Sequence, residues 1–224
     1  MDNEKTVRDT MGIDPKRNTM ILLSYSTLNE LINCPHTWLC KQMGLQRFRT
    51  QAMLEGADAH TVIQRHVSNV ERDPRLAKLM LYFPVVETRS QDPATHFEYQ
   101  IDEEYSIHGY MDGKHEELGR GLEIKTSSTL WGMTKFYNLM QWRIAALAQP
   151  WLKEMWFITA TRDLRNPVCF TLSVTDKHRQ EALAWIQRGI AIIESGDFSY
   201  DGQGRSRYCN YIGCPFGCER RASL

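Results

Sequence analysis

This sequence lacks a long apolar run and an excess of one charge. No stretch approaches the roughly 20 consecutive apolar residues that a membrane-spanning helix needs, so we expect no membrane-embedded segment. Lysine plus arginine and aspartate plus glutamate number 27 each, and net charge therefore gives no indication of a nucleic-acid partner. The absence of internal repeats and low-complexity tracts argues against a repeat architecture.

The N-terminal segment MDNEKTVRDTMGIDPKRN also lacks the features of a signal peptide, because it is polar and mixed in charge. We therefore expect a cytoplasmic protein with a flexible arm over residues 1–20. Hydrophobic residues make up 42% of the 224 residues and charged residues 24%, a composition typical of globular proteins that bury one substantial core. The simplest organisation is one domain over residues 21–224.

The hydrophobic pattern predicts an α/β protein with helices at both ends of a group of strands. Helices are predicted over Tyr25–Lys41, Gln51–Val70, Lys135–Ala148 and from Thr175 to Ser195. Strands are predicted over His96–Asp102, Tyr105–Asp112, Gly121–Thr126, Glu154–Thr161 and Val168–Val174. Pro35 should split the first helix in two. This order of elements favours a mixed central β-sheet flanked by helices.

The sharpest chemical signal lies in the segment GYMDGKHEELGRGLEIKTSS. Side chains alternate along a strand, so Glu123 and Lys125 should share one face of the strand that contains them. Asp112 ends the preceding strand, which the short connection should place alongside. Two carboxylates and one ammonium group are then expected to meet at one edge of the sheet.

This grouping is suited to metal-assisted hydrolysis of a phosphodiester bond. Carboxylate oxygens bind Mg²⁺ or Mn²⁺, so Asp112 and Glu123 are candidate ligands, with the backbone carbonyl of Ile124 as a further oxygen donor. Lys125 could orient the attacking water and neutralise developing charge. A cross-strand salt bridge explains the pattern equally well, because D…ExK is short and frequent by chance.

Three further segments stand in a characteristic order around this motif: LSYSTLNELINCPHTW, EGADAHTVIQRHV and LMQWRIAALA. With the D…ExK pattern they resemble the RecB-like branch of the PD-(D/E)XK nucleases, over most of the chain. The resemblance implies a restriction-endonuclease-like core and a nuclease activity on DNA. It also implies that His60 is a metal ligand, although its inward-facing helical position alone favours a packed histidine.

The resemblance assigns Gln141 a supporting role near Lys125 or the DNA. Many family members carry a tyrosine four residues after this glutamine, whereas Ala145 stands at that position here. Tyr137, four residues before Gln141, should lie on the same helical face and could substitute for the missing tyrosine.

Six cysteines in a chain of cytoplasmic character favour metal binding over disulfides. Three thiolates come from one short segment that contains Cys209, Cys214 and Cys218. Both a tetrahedral zinc and a [4Fe–4S] cluster need a fourth ligand, for which Cys34 and Cys40 are the candidates. Cys169 lies in the apolar segment VCFTLSV and is predicted to be a small buried hydrophobic residue.

The resemblance favours Cys34, since iron–sulfur members of the RecB-like branch have one early and three late cysteines. These members include CRISPR-associated exonucleases of the fourth family and AddB-type nuclease domains. Two and then five residues commonly separate their late cysteines, whereas four and then three do so here, and zinc remains an alternative. Such a cluster would join residues 21–50 to residues 197–224.

Taken together, these patterns favour a metal-dependent exonuclease that acts on DNA ends or single strands. Recombination, repair and CRISPR spacer processing are the processes that the resemblance implies, and the size is compatible with a phage protein. The chain would act alone, as a homo-oligomer, or with a separate helicase or integrase. A non-catalytic DNA-binding module and a structure-specific endonuclease are the alternatives, and the polarity of digestion is open.

Overall fold

The structure is a computed structural model that describes residues 20–45, 51–87 and 93–196, together with Phe198. The helices are α1 (Tyr25–Asn33), α2 (Pro35–Gln42), α3 (Gln51–Val67), α4 (Met133–Tyr137), α5 (Met140–Ala148) and α6 (Asp176–Ser195). The strands are β1 (Ile21–Ser24), β2 (Val85–Val86), β3 (His96–Gln100), β4 (Tyr105–Tyr110), β5 (Gly113–His115), β6 (Arg120–Ser127), β7 (Glu154–Thr161) and β8 (Val168–Ser173). Single 3₁₀ turns cover Pro74–Leu76, Pro93–Thr95 and Glu116–Leu118.

The strands form two sheets, both of mixed direction. The first has the order β1-β4-β3, in which β1 is parallel to β4 and β3 is antiparallel to it. The second has the order β2-β5-β6-β7-β8, in which only β6 and β7 are parallel. The predicted class, an α/β protein with mixed strands flanked by helices, is confirmed. The strands are divided between two sheets where the sequence pattern indicated one.

The predicted break in the first helix is confirmed at Cys34 and Pro35. Ser24 caps α1 by accepting a hydrogen bond from the Thr27 N–H at 3.2 Å. Pro35 occupies the first turn of α2, where its missing N–H costs no helical hydrogen bond. Cys34 between the two helices is extended, as expected for a residue before proline.

The helix predicted over residues 135–148 is instead two helices, α4 and α5. The break places the fully buried Phe136 and Trp142 on the same side, where both rings contact Phe157 of β7. In one continuous helix, positions six residues apart point about 120° away from each other. The Trp142 indole N–H donates to the Phe136 carbonyl at 2.9 Å, so the break also satisfies a buried donor.

The helices pack against the strands in three buried cores. α6 packs against α1 and α5 in a core that includes β3 and β4 of the first sheet. α3 packs against β6 in a second core, and α4 and α5 meet β7 in a third. Within the described ranges, each helix is too short or too polar to cross a membrane.

The closest approach of α6 to α1 depends on Gly189. A Cβ atom at this position would lie 2.5 Å from Cδ2 of the fully buried Leu28, so α1, α6 or the leucine would have to shift. Glycine is therefore required here by packing, although it disfavours a helix.

We expect Gly189→Ala to lower the melting temperature by about 2–8 °C, because the cost of overpacking exceeds the gain in helix propensity. Differential scanning calorimetry measures this change. Gln187→Ala, an exposed position of the same helix, is the matched control and should leave the melting temperature nearly unchanged. A higher melting temperature for Gly189→Ala would show that α1 and α6 are not in tight contact.

Candidate active site

The candidate site lies where the chain passes from the first sheet to the second. The Met111 N–H, just after β4, still bonds at 3.1 Å to the carbonyl of Thr95, the residue directly before β3 of the first sheet. The next N–H, that of Asp112, bonds to the Leu122 carbonyl of β6 at 3.2 Å. This crossing brings the buried Asp112 side chain to the edge of β6.

The Asp112 carboxylate bonds to β6 at the point where β5 no longer does so. β5 pairs with β6 only as far as Leu122, and beyond it the Ile124 N–H donates to Asp112 Oδ2 at 2.5 Å. The N–H and C=O of one residue point to the same side of a strand. The Ile124 carbonyl therefore faces the same gap as the carboxylate.

The Lys125 ammonium group lies between Glu123 and Gln141. Its Nζ forms an ion pair with Glu123 Oε1 and donates a hydrogen bond to Gln141 Oε1 at 3.1 Å. Glu123 and Lys125 share a face of β6, and Gln141 is in the first turn of α5, which covers that face. The structure thus brings together the carboxylate, the lysine and the glutamine that the sequence singles out.

His60 reaches the same site from α3. Its Nε2 lies 3.2 Å from Asp112 Oδ1. The other carboxylate oxygen, Oδ2, accepts the hydrogen bond from the Ile124 N–H. The ring is partly exposed, so it lies at the boundary between the core and the gap. The structure therefore places His60, Asp112, Glu123, Lys125 and Gln141 around one point of the sheet edge.

The local charges act differently on the two carboxyl groups. Burial, with a smaller contribution from Asp112, raises the pKa of Glu123 to about 7 despite the opposing charge of Lys125. Burial also acts to raise the pKa of Asp112, but His60, Lys125 and the Ile124 N–H together hold it below its usual value. The pKa values of His60 and Lys125 are raised, since the facing carboxylates outweigh burial.

The donor set is suited to a hard divalent cation. Among the described residues, no three His, Cys, Asp or Glu side chains already surround a cation position; His60 contacts Asp112, and Lys125 contacts Glu123. Glu123 Oε1 is buried, and the Lys125 ammonium group lies next to it. Buried oxygen donors of this kind are the ligands that Mg²⁺ and Mn²⁺ prefer.

The predicted cysteine site is only partly within the described residues. Cys34 is buried at the junction of α1 and α2. Outside the described residues lie Cys209, Cys214 and Cys218, and nothing is described of the Cys40 side chain. Phe198 stacks on Trp38 of α2 with ring centroids 5.0 Å apart, so the chain returns after α6 to the helix that follows Cys34.

Three expectations need correction. β4, which precedes Asp112, does not lie beside β6, because the short strand β5 takes that position. Tyr137 does not share a face with Gln141, since the helix breaks between them and the Tyr137 ring contacts Arg143 and His178. Cys169 is only partly buried, and burial raises the pKa of its thiol to about 11.

Sequence reasoning missed the residues that hold α3 against the site. Thr126 Oγ1 donates to the Gly56 carbonyl at 2.8 Å, and Gln64 Nε2 donates to the Asp112 carbonyl at 3.4 Å. The signals available in the sequence were the G-x-x-x-H spacing and the threonine directly after the lysine of the ExK motif. Neither signal indicates by itself that the two segments touch.

Comparison with solved structures identifies a candidate exonuclease from Eubacterium rectale as similar, with a TM-score of 0.50 and 15% sequence identity. The similarity covers 88% of this chain and 86% of that protein. This likeness shows a shared fold, and a restriction-endonuclease-like α/β architecture is confirmed for this chain. No protein-family model and no curated protein matches the sequence.

Two other structures are more distantly similar. The alkaline exonuclease LHK-Exo from Laribacter hongkongensis, in complex with dAMP, gives a TM-score of 0.46 at 13% identity over 77% of this chain and 88% of that one. A phage-related exonuclease from Haemophilus somnus 129PT gives a TM-score of 0.36 at 10% identity, over 79% of this chain and 96% of that one.

The raised pKa of Glu123 gives a testable pH dependence of stability. A carboxyl whose pKa rises on folding, here from 4.5 to about 7, binds its proton more tightly in the folded state. The folded state is therefore stabilised below this range and loses that stability as the pH rises through it. Glu123→Gln imitates the protonated carboxyl and does not undergo this loss.

We expect the unfolding free energy of Glu123→Gln minus that of the wild type to increase between pH 4.5 and 7. Urea denaturation at a series of pH values, with a chelator present, measures this difference. Glu117→Gln, at an exposed position, should show no such trend. A difference that stays constant with pH would mean that Glu123 is not desolvated in the folded protein.

Proposed function

We propose that this chain is a divalent-metal-dependent nuclease that hydrolyses phosphodiester bonds in DNA. The observation that carries the proposal is the convergence of Asp112, Glu123 and Lys125 on one edge of β6, with His60 and Gln141 beside them. An isolated surface salt bridge would not need two buried carboxylates, a histidine from a separate helix and a glutamine holding the lysine.

Asp112 and Glu123 would hold Mg²⁺ or Mn²⁺, with the Ile124 carbonyl and His60 as further donors. A bound divalent cation lowers the pKa of a water ligand and neutralises charge on the scissile phosphate. The metal would replace the contact of His60 with Asp112 and relieve the charge that burial disfavours on Glu123. The raised pKa of Glu123, whose carboxylate burial disfavours, is thus consistent with a cation-binding role.

Lys125 would contact the phosphate or the attacking water. Its ammonium group is largely buried and keeps its proton, because the two carboxylates raise its pKa. Gln141 accepts one of its hydrogen bonds and so fixes the direction of Nζ. A lysine held in this way is preorganised to stabilise charge as it develops on the phosphate.

DNA with free ends or single strands is the substrate that we propose, as in recombination, repair or CRISPR spacer processing. The Eubacterium rectale protein that shares the fold is described as a candidate exonuclease, which supports this choice. A structure-specific endonuclease would have the same metal site, and the two activities differ in whether the substrate needs an end. A separate helicase or integrase, or a second copy of the chain, would be the partner.

We expect purified protein to degrade end-labelled DNA in the presence of Mn²⁺ or Mg²⁺, and Lys125→Ala and Asp112→Asn to lower the rate by about 100-fold or more. Electrophoresis of linear single-stranded, linear double-stranded and circular DNA separates exonuclease from endonuclease activity. Lys135→Ala, at an exposed position, is the matched control and should cleave like the wild type.

Equal cleavage by the wild type and Lys125→Ala would assign the activity to another site or to a contaminant. DNA binding without cleavage at any metal concentration would instead support the alternative, a non-catalytic DNA-binding module. Cleavage of circular DNA at a rate comparable to that of linear DNA would establish an endonuclease.

We further propose a structural cluster held by Cys34, Cys209, Cys214 and Cys218, as [4Fe–4S] or, alternatively, zinc. The contact between Phe198 and Trp38 supports this proposal, because it brings the start of the C-terminal segment to the helix next to Cys34. Residues 34 and 209 are far apart in sequence, so their connection would strongly restrict the unfolded chain.

Anaerobically purified protein should contain either about four iron and four sulfide ions or about one zinc ion per chain. Elemental analysis and absorbance spectroscopy distinguish these two clusters. Cys214→Ser should lose the metal and lower the melting temperature, whereas Cys169→Ser should keep the metal. A Cys214→Ser protein with unchanged metal content and stability would disprove the cluster.

A further inference from the structure

α3 contacts the strand region of the site through polar groups that are spaced one helical turn apart. The Gly56 carbonyl accepts from Thr126, the His60 imidazole contacts Asp112, and the Gln64 amide donates to the Asp112 backbone. Residues four apart lie on the same face of a helix. The three contacts therefore form one line along the surface that α3 presents to the site.

The spacing along β6 matches the spacing along α3. Thr126 and Ile124, the residue bonded to Asp112, are two positions apart, which corresponds to about 6.7 Å along a strand. Gly56 and His60 are four positions apart, which corresponds to about 6 Å along a helix. The hydrogen bond between Thr126 and Gly56 and the contact between His60 and Asp112 can therefore form together, one helical turn apart.

The apolar contacts between α3 and β6 do not by themselves fix the position of α3 along β6. Ala59 and Ile63 pack in the same buried cluster as Leu122 and Ile124, but apolar contact is not directional. The hydrogen bond from the Thr126 hydroxyl is directional, and it joins a side chain of β6 to the backbone of α3. A shift of α3 by one residue, about 1.5 Å, would separate the His60 ring from Asp112.

Gly56 is suited to this contact because it has no side chain between the helix and the strand. A Cβ atom at this position would lie 3.3 Å from Thr126 Oγ1, a closer approach than most side chains tolerate. A side chain at position 56 would therefore require the Thr126 hydroxyl or α3 to shift by a few tenths of an ångström.

We propose that Thr126 is a positioning residue, whose hydroxyl fixes α3 through Gly56 and so holds His60 against Asp112. The consequence for metal binding rests on the proposed function, whereas the positioning of His60 does not. Thr126 itself contacts neither the carboxylates nor the lysine in the interactions described above. It acts through His60.

The test is a double-mutant cycle between Thr126→Val and His60→Ala, measured first on unfolding by urea with a chelator present. If the hydroxyl holds His60 in place, the midpoint shift caused by His60→Ala should be smaller in the Thr126→Val background than in the wild type. Thr126→Ser keeps the hydroxyl and should restore the full shift. Thr159→Val removes another buried hydroxyl contact, to the Trp131 N–H, and should be additive with His60→Ala.

The second measurement is Mn²⁺ affinity by calorimetry on the same variants. Thr126→Val should weaken Mn²⁺ binding about tenfold, as removal of a group that orients a metal ligand does. In the His60→Ala background, Thr126→Val should cause no further loss, and Thr126→Ser should bind Mn²⁺ like the wild type.

The outcomes separate the two claims. Additive midpoint shifts for Thr126→Val and His60→Ala would overturn the positioning role, whatever the metal affinities. Coupled shifts in a protein that neither binds Mn²⁺ nor cleaves DNA would leave the positioning role in place and refute the proposed function. Coupled shifts with unchanged Mn²⁺ affinity in Thr126→Val, in a protein that does bind Mn²⁺, would overturn the consequence for the metal site.

Discussion

The site depends on the contact between the Asp112 carboxylate and the Ile124 N–H. β5 pairs with β6 only as far as Leu122. The next N–H on that edge, that of Ile124, donates its hydrogen bond to the Asp112 side chain. This arrangement leaves a gap at the sheet edge, which the Asp112 carboxylate and the Ile124 carbonyl face. The division of the strands into two sheets is therefore a condition for the site, because a continuous strand beside β6 would fill the gap.

The charges at this edge are balanced only in part by the protein. Lys125 compensates Glu123, and His60 compensates Asp112, yet the pKa of Glu123 is still raised to about 7. A structural salt bridge would be expected to stabilise its carboxylate, whereas here burial dominates. An incompletely compensated buried carboxylate beside a second one lowers folding stability, and the proposed cation-binding role would account for this cost.

Helices on both faces of the second sheet complete the arrangement. α5 covers the face of β6 that carries Glu123 and Lys125, and its Gln141 fixes the lysine. α3 packs against the opposite face, and its His60 contacts Asp112 at the edge of β6. The chemical groups thus come from segments far apart in sequence, and their mutual distances depend on how these two helices are seated.

The sequence alone determined the class of the fold, the main helices and strands, and the alternation that puts Glu123 and Lys125 on one face. These features follow from local periodicity and from residues with strong backbone preferences, such as Pro35, which breaks the first helix. The motif order also singled out His60 and Gln141 by resemblance. The tertiary structure alone decided that Asp112 crosses between two sheets and that Thr126 bonds to Gly56. Such contacts join residues distant in sequence, and they depend on packing of whole elements, which local patterns do not encode.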